Sequence, residues 1–383
     1  MEIENIEEGS KEENEENLSD EQFNEHEENK ESEEQEQEEN ISNEENEIIK
    51  YNQEDLNLNY IIKYLMKKVA IVNQIICEKC EQPMKLVSNK MKKDKIIWRC
   101  QKKRENKHQV TVNIRNKSIF ESTKTDLRIL YFLLFYNFVE NKSINQSYLN
   151  CKEFTKQLGL ESMSKANIIK FYRVIREKIK NTMHKTWKDN LLGMEPCENG
   201  KSYVEIDESK IVSYNGEVRW MFGLYNRGSK KIRIFFVDNN RTKETLLPLI
   251  KDNVYTYYDH IRNNTDTNLE RPATRIYSDC FATYQISDFN NLGYILHKVN
   301  HSIGFGYGQH HTNSIESTWG KLKRLTHSFN GLNGNVFNTR QNLNNQDYFD
   351  GWICTGLFFI ECESLGLPLN EKKKYLLKYL HHS

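Results

Sequence analysis

The sequence predicts a mixed α/β (α+β) protein. Its sheet is laid down as three antiparallel strands and extended by α-β-α-β-α, behind a small cysteine-bearing module and a helical block. Three observations predict this. Between Tyr203 and Val237, three segments alternate apolar and polar side chains or run through β-branched and aromatic ones, with only short turns between them. Beyond Val237, stretches of helical period take turns with the strand-like runs Arg275–Ser278 and Leu296–Val299. Upstream, apolar residues recur at helical spacing from Leu127 to Met183, while the pair Cys77-x-x-Cys80 sits among short alternating segments.

Composition divides the chain. Its 383 residues carry 54 Lys and Arg against 55 Asp and Glu, a formal charge of -1. Residues 1–50 hold 22 acidic side chains and three lysines, whereas the remaining 333 residues hold 51 basic against 33 acidic, so a net of -19 precedes a net of +18. Residues 1–56, a Glu/Asn/Gln/Ser tract, cannot offset the entropy of ordering and read as a disordered, solvated acidic tail. The basic remainder favours a polyanionic partner. No basic segment followed by an apolar one opens the sequence, so a secretory signal is not expected. The most apolar run, Leu127 to Val139, is interrupted by Arg128, Tyr131, Tyr136 and Asn137. It falls short of the roughly 20 apolar residues that span a membrane. Eight cysteines in so long a chain do not suggest a disulfide scaffold, and the close pair points to metal.

The elements follow in order. Residues 57–118 form the cysteine module, with alternating segments at Ile96–Cys100 and Gln109–Val112. Residues 119–195 form the helical block: one helix over Leu127–Val139, one over Lys152–Leu158, and one over Lys165–Met183. The last carries Ile168, Ile169, Phe171, Val174, Ile175 and Ile179 at helical spacing, with Gly159 as separator and Ser164 as N-cap. A short helix, a turn and a longer basic helix resemble a helix-turn-helix, though any helical bundle gives similar spacing. Residues 200–330 carry the sheet. Strands are predicted at Tyr203–Asp207, at Arg219–Tyr225 before Arg227-Gly228, and at Lys231–Val237. An amphipathic helix covers Thr242–Val254, followed by a polar insertion at Tyr255–Glu270 and a fourth strand ending at Asp279. A short helix over Phe281–Phe289, a fifth strand at Leu296–Val299 and a helix over Thr312–Thr326 complete this part. Residues 331–383 form a C-terminal helical extension, packed through Trp352, Leu357, Phe358 and Phe359.

Three carboxylates fall at telling places in this layout. Asp207 ends the first predicted strand, Asp279 ends the fourth, and Glu316 lies in the first turn of a late helix. Strand ends bring distant carboxylates to one sheet edge, and hard oxygen ligands on rigid elements suit divalent cations. Two such ions about 3.5–4 Å apart stabilise the attacking and leaving oxygens of a phosphodiester displacement. Crowded carboxylates repel one another, so such a site needs its cations. The bland alternative is a set of solvated charges, Glu205 and Glu208 beside Asp207 included.

The motifs themselves carry a resemblance. Val204-Glu205-Ile206-Asp207-Glu208-Ser209-Lys210 resembles the first-aspartate motif of DDE transposases of the Merlin type and their bacterial insertion-sequence relatives. So do Ile276-Tyr277-Ser278-Asp279-Cys280 with Ala282 and Tyr284, then Val299-Asn300-His301-Ser302, and the run from His311 through Asn313, Glu316, Trp319 and Gly320 to Arg324. The helix segment Glu244-Thr245-Leu246-Leu247-Pro248-Leu249-Ile250 is also similar, and all of them occur in family order. The resemblance implies a ribonuclease-H-like fold and Mg²⁺- or Mn²⁺-dependent DNA transposition. It further implies Asp207 as the ligand bridging two ions, with Asp279 and Glu316 each completing one. Double-stranded DNA (transposon ends and target), assembly into a homodimer or higher, and a nuclear location follow from the family. His301, His311 and Asn313 lie in family-like motifs beside the site; either histidine could meet a scissile phosphate, orient a ligand or be structural. Glu316 and Gly320 share a helix face, and the glycine suggests a close approach there. Lys321, Lys323 and Arg324 make the following turns basic, as DNA phosphates or plain solvation would favour.

Cys77 and Cys80, followed by Cys100, resemble a zinc ribbon. The family's second cysteine pair is missing, so the fourth ligand of a structural zinc is open. His108 is the nearest suitable side chain, and a three-ligand knuckle is the alternative. A module this small lacks core enough to fold unaided. Around it Lys90, Lys92, Lys93, Arg99, Lys102, Lys103 and Arg104 form a basic run, and Trp98 in its midst favours a grip on DNA over mere solvation. Rivals to the transposase expectation are a domesticated DNA-binding protein without catalysis, a metal nuclease without strand transfer, and a structural scaffold.

Overall fold

The computed structural model describes residues 57–68, 70–100, 108–197, 200–214, 217–238, 240–256, 258–259, 273–279, 281–300, 311–328 and 346–381. The acidic tail, His301, Lys102, Lys103 and Arg104 lie outside the described residues. Helix α1 (Leu58–Lys67) starts at Asn57, whose side chain accepts hydrogen bonds from the amides of Asn59 and Tyr60 at 2.9 and 3.3 Å. Strands β1 (Lys85–Ser88), β2 (Ile96–Arg99) and β3 (Thr111–Asn113) form an antiparallel sheet in that order. A buried ion pair closes this module: Arg115 donates to both Asp94 oxygens, at 2.7 and 2.5 Å, and to the Thr123 carbonyl at 2.9 Å.

In the helical block the run expected as one helix is two. Helix α2 (Leu127–Phe132) passes into a π-helical turn, Leu133–Phe138. Asn137 explains the change of period, since it is wholly buried and must be satisfied. It donates to the Phe132 carbonyl at 3.4 Å and accepts from the Asn150 side chain at 2.8 Å. Helix α3 (Ile144–Leu158) begins well before Lys152, where the sequence placed it: its first half buries only the small Ser147 and Cys151 and leaves Leu149 exposed, so it shows no apolar stripe. Gly159 ends it in the left-handed conformation, φ +62°, which glycine adopts without strain. Helix α4 (Lys165–Asp189) is capped by Ser164, which accepts from the Asn167 amide at 3.3 Å.

The second sheet is mixed. Its strands are β4 (Tyr203–Tyr214), β5 (Glu217–Asn226), β6 (Ile232–Asp238), β7 (Arg275–Asp279) and β8 (Ile295–Val299), in the order β6-β5-β4-β7-β8. The first three pair antiparallel; β7 joins β4 in parallel and β8 joins β7 in parallel. Asp207 therefore does not end its strand, as the sequence suggested: hairpin pairing with β5 carries β4 on to Tyr214. The parallel pairing does end near it, at Glu205 opposite Tyr277. Carried two residues further, the same register sets Asp207 against Asp279.

Alternation assigns the two faces. Val204, Ile206, Phe222, Leu224, Ile276 and Leu296 share one core with Leu246 and Ile250 of α5 (Lys243–Asn253) and Phe289 of α6 (Ile286–Asn291). The helix expected over Phe281–Phe289 is only this later, shorter one; a turn occupies residues 282–283. The opposite face, bearing Tyr203, Glu205 and Asp207, meets α7 (Asn313–Ser328). There α8 (Gln346–Ser364) stacks Phe349 on Phe236 of β6, ring centroids 4.3 Å apart, and sets Trp352 under Arg176 of α4 at 3.5 Å. Helix α9 (Leu369–His381) ties back to α4, where the Thr182 hydroxyl donates to the Tyr379 carbonyl at 2.7 Å. No helix among the described residues is long and apolar enough to cross a membrane.

Candidate functional site

Three chain-distant elements bring Asp207, Asp279 and Glu316 into one electrostatic neighbourhood. Burial raises the Asp207 carboxyl to about 6, against the Trp319 hydrogen bond, and the charges of Asp279 and Glu316 push it the same way as burial. Each acid is held locally. Asp207 accepts from the Glu208 amide at 2.8 Å, Asp279 from the Phe281 amide at 3.0 Å, and Glu316 from the Thr312 hydroxyl at 2.8 Å. Glu316 and Asn313 are exposed, and Asp279 and Asp207 are partly so, which leaves the group open to solvent and solutes. A half-buried acid beside two like charges gains most from a bound cation.

Packing around Asp207 involves residues that composition and spacing pass over. The Trp319 indole N–H donates to Asp207 Oδ2 at 2.8 Å. It reaches there because Gly223, paired with Asp207 across the hairpin, offers no side chain: a Cβ would stand 2.6 Å from Trp319 Cη2 and 2.8 Å from Ile315 Cδ1. At Gly320, where the sequence suggested room for backbone or substrate, a Cβ would meet no protein atom within 4 Å. Glu208 points to the other sheet face and accepts from the Tyr284 hydroxyl. Burial raises it to about 7, helped by the charges of Asp207 and Asp279. Glu205, a solvated charge in the bland alternative, is wholly buried and pairs with Arg227 at 2.6 Å. Of the two family-motif histidines, the described one, His311, sits with Nδ1 3.5 Å from Glu205; burial and the Arg227 charge lower its pKa. The alternation of Tyr203, Glu205 and Asp207 placed these side chains on one face in the sequence, but which face a helix would cover was not written there.

A second site lies in the N-terminal module. Cys77 and Cys80 flank a turn, Cys100 follows β2 and His108 precedes β3. Their donor atoms all lie within 4.8 Å of one another, the one group of three or more His, Cys, Asp or Glu gathered so closely among the described residues. His108 Nε2 is 3.4 Å from Cys77 Sγ and 3.2 Å from Cys100 Sγ, and Cys80 Sγ is 3.5 Å from Cys100 Sγ. A tetrahedral zinc with Zn–S about 2.3 Å and Zn–N about 2.0 Å has edges of roughly 3.5–3.8 Å, close to these separations. Burial resists ionising Cys77, yet the Lys79 and Cys80 amides and the Cys100 and Cys80 thiols lower it to about 6. The donor set fits zinc, and His108 is the fourth member that the cysteine spacing left open.

The basic residues divide. Lys90, Lys92, Lys93 and Arg99 are exposed on the module, as are Lys321 and Arg324 on α7, with Lys323 half-buried. Trp98 is not among them. It is 4% exposed, packed inward from β2, so it offers no face to a nucleic acid.

No family model matches this chain, and no curated protein does. Among solved structures, a chain from the cryoEM structure of the simian T-cell lymphotropic virus intasome in complex with PP2A regulatory subunit B56 gamma aligns at a TM-score of 0.26 and 14% identity. The alignment covers 58% of this chain and 66% of that one.

Proposed function

We propose that this chain is a DDE transposase of the Merlin type, cutting DNA at transposon ends and joining the freed 3′-hydroxyl to target DNA with Mg²⁺ or Mn²⁺. The carrying observation is that the charges of Asp279 and Glu316 both act on the Asp207 carboxyl, which burial already pushes upward. The strand order β6-β5-β4-β7-β8, three antiparallel strands and then two parallel ones, supports a ribonuclease-H-like reading. In this reading Asp207, Asp279 and Glu316 are the side chains that would hold the cations. Bound there, the ions supply Lewis-acid stabilisation of the attacking and leaving oxygens. The chain's own part is to fix these carboxylates, with Trp319 holding the Asp207 rotamer and Thr312 that of Glu316. The exposed lysines and arginines of the module and of α7 track the phosphates of double-stranded DNA. Zinc on Cys77, Cys80, Cys100 and His108 holds the module. Pairing of two transposon ends calls for a homodimer or larger assembly, and the reaction belongs in the nucleus.

The test is a strand-transfer assay on a pre-cut DNA end, run beside a nicking assay, with Mg²⁺ and with EDTA. Metal-dependent joining is expected, and Asp207→Asn should abolish both reactions while leaving DNA affinity nearly intact. Nicking without joining points to a nuclease. Binding without either points to a domesticated DNA-binding protein.

A further inference from the structure

The structure assigns Glu205 as a positioning residue that pins the helix carrying Glu316 to the strand carrying Asp207. Glu205 is 0% exposed and stands two residues before Asp207 on the same face of β4. Its Oε2 accepts from the amides of Ser314 and Ile315, at 3.0 and 2.9 Å, the two residues immediately before Glu316. Its Oε1 accepts from Arg227 Nε at 2.6 Å, and His311 Nδ1 lies 3.5 Å from the same oxygen.

Arg227 follows β5, lies over the Tyr277 ring at 4.4 Å and donates a second hydrogen bond to the His311 carbonyl. One carboxylate thus gathers the sheet, the hairpin end and the first turn of α7. Amides of a helix's first turn lack partners within the helix and carry partial positive charge, so a buried carboxylate there is favoured by both. The contact also resists slippage. Sliding α7 by one turn would leave Glu205 buried with its charge half paired, a costly state. Beside the Trp319–Asp207 hydrogen bond further along the helix, Glu205 therefore fixes the first turn of α7, and with it Glu316, against the strand of Asp207, while touching neither metal nor DNA in the proposed reading.

This inference rests on the proposed metal site, and the experiment separates the two. Mn²⁺ binding to the full chain is measured by titration calorimetry for the wild type, Glu205→Gln, Glu316→Gln and the double variant, with urea unfolding of each. Glu205→Gln should unfold cooperatively yet bind Mn²⁺ about tenfold to a hundredfold more weakly, as residues supporting metal ligands do. In the Glu316→Gln background the same change should cost nothing further, because its effect runs through Glu316. Unchanged affinity in folded Glu205→Gln, or an undiminished loss in the double variant, overturns the assignment while leaving the metal site standing. A wild type that binds no Mn²⁺ overturns the site and the assignment together. Should Glu205→Gln not fold, Glu205→Asp, a methylene shorter but still charged beside Arg227, reads the same comparison.

Discussion

Asp207 carries its charge where the surroundings resist it, and this sets a pH dependence. With Asp207 raised to about 6 and Glu208 to about 7, the folded protein holds protons that the unfolded chain has released. Between about pH 4 and pH 7 the native state binds more protons, so stability falls as pH rises through that window. In EDTA the melting temperature should therefore drop between about pH 5 and about pH 7.5, and Mg²⁺ should restore it only at the higher pH. A melting temperature flat across this range, or blind to Mg²⁺, contradicts the picture. Gly223 gives a sterically defined companion. Alanine in place of a strand glycine ordinarily stabilises, by roughly 0.5–1 kcal/mol. Here its Cβ would drive into Trp319, itself 5% exposed and bonded to Asp207. Gly223→Ala should instead cost about 1–3 kcal/mol in urea unfolding. A gain in stability would mean that Trp319 moves away freely. Neither Gly223 nor Glu205 stood out in the sequence, because a lone glycine or glutamate in a strand shows nothing of the helix laid over it.

At the scale of elements, the cysteine module and the strand pattern were the most legible. Cys77-x-x-Cys80 and Cys100 announced a set of metal-ligand type, and the fold adds His108 to the cluster by placing it just before β3. Zinc analysis should find one ion per chain, and Cys77→Ser with Cys80→Ser should release it and expose residues 70–113 to limited proteolysis. Metal-free protein with the module still protected would make the cluster a mere packing contact. Periodicity located β5, β6, β7 and β8 to within a residue or two, since burial on one face enforces alternation. It failed for the first half of α3, which buries only small side chains and exposes Leu149, and for the run from Leu127, where apolar residues all round hide the change to π geometry at a buried asparagine. Trp98 misled for a related reason: Arg99, its neighbour in sequence, points to the other face of the strand.

Among the described residues from Asn57 on, the C-terminal helices serve the sheet. Phe349, Trp352, Ile353, Leu357 and Phe358 of α8 are all buried, against α4, α7 and β6. Ending the chain at residue 345 should uncover the apolar sides of α4, α7 and β6 that α8 covers. Loss of cooperative unfolding and gain of dye binding to apolar surface would report this; a truncated chain that still melts cooperatively would show α8 to be dispensable.

By itself the sequence determined what local chemistry can write: the order of strands and helices and the cysteines of the cluster, because period, capping and ligand type are properties of neighbouring residues. Only the tertiary structure decided that Glu205 is buried rather than solvated, that Gly223 makes room for Trp319, and that Trp319 reaches Asp207. Those outcomes depend on how distant segments cover one another, and no short stretch of chain encodes which surface another stretch will remove from water.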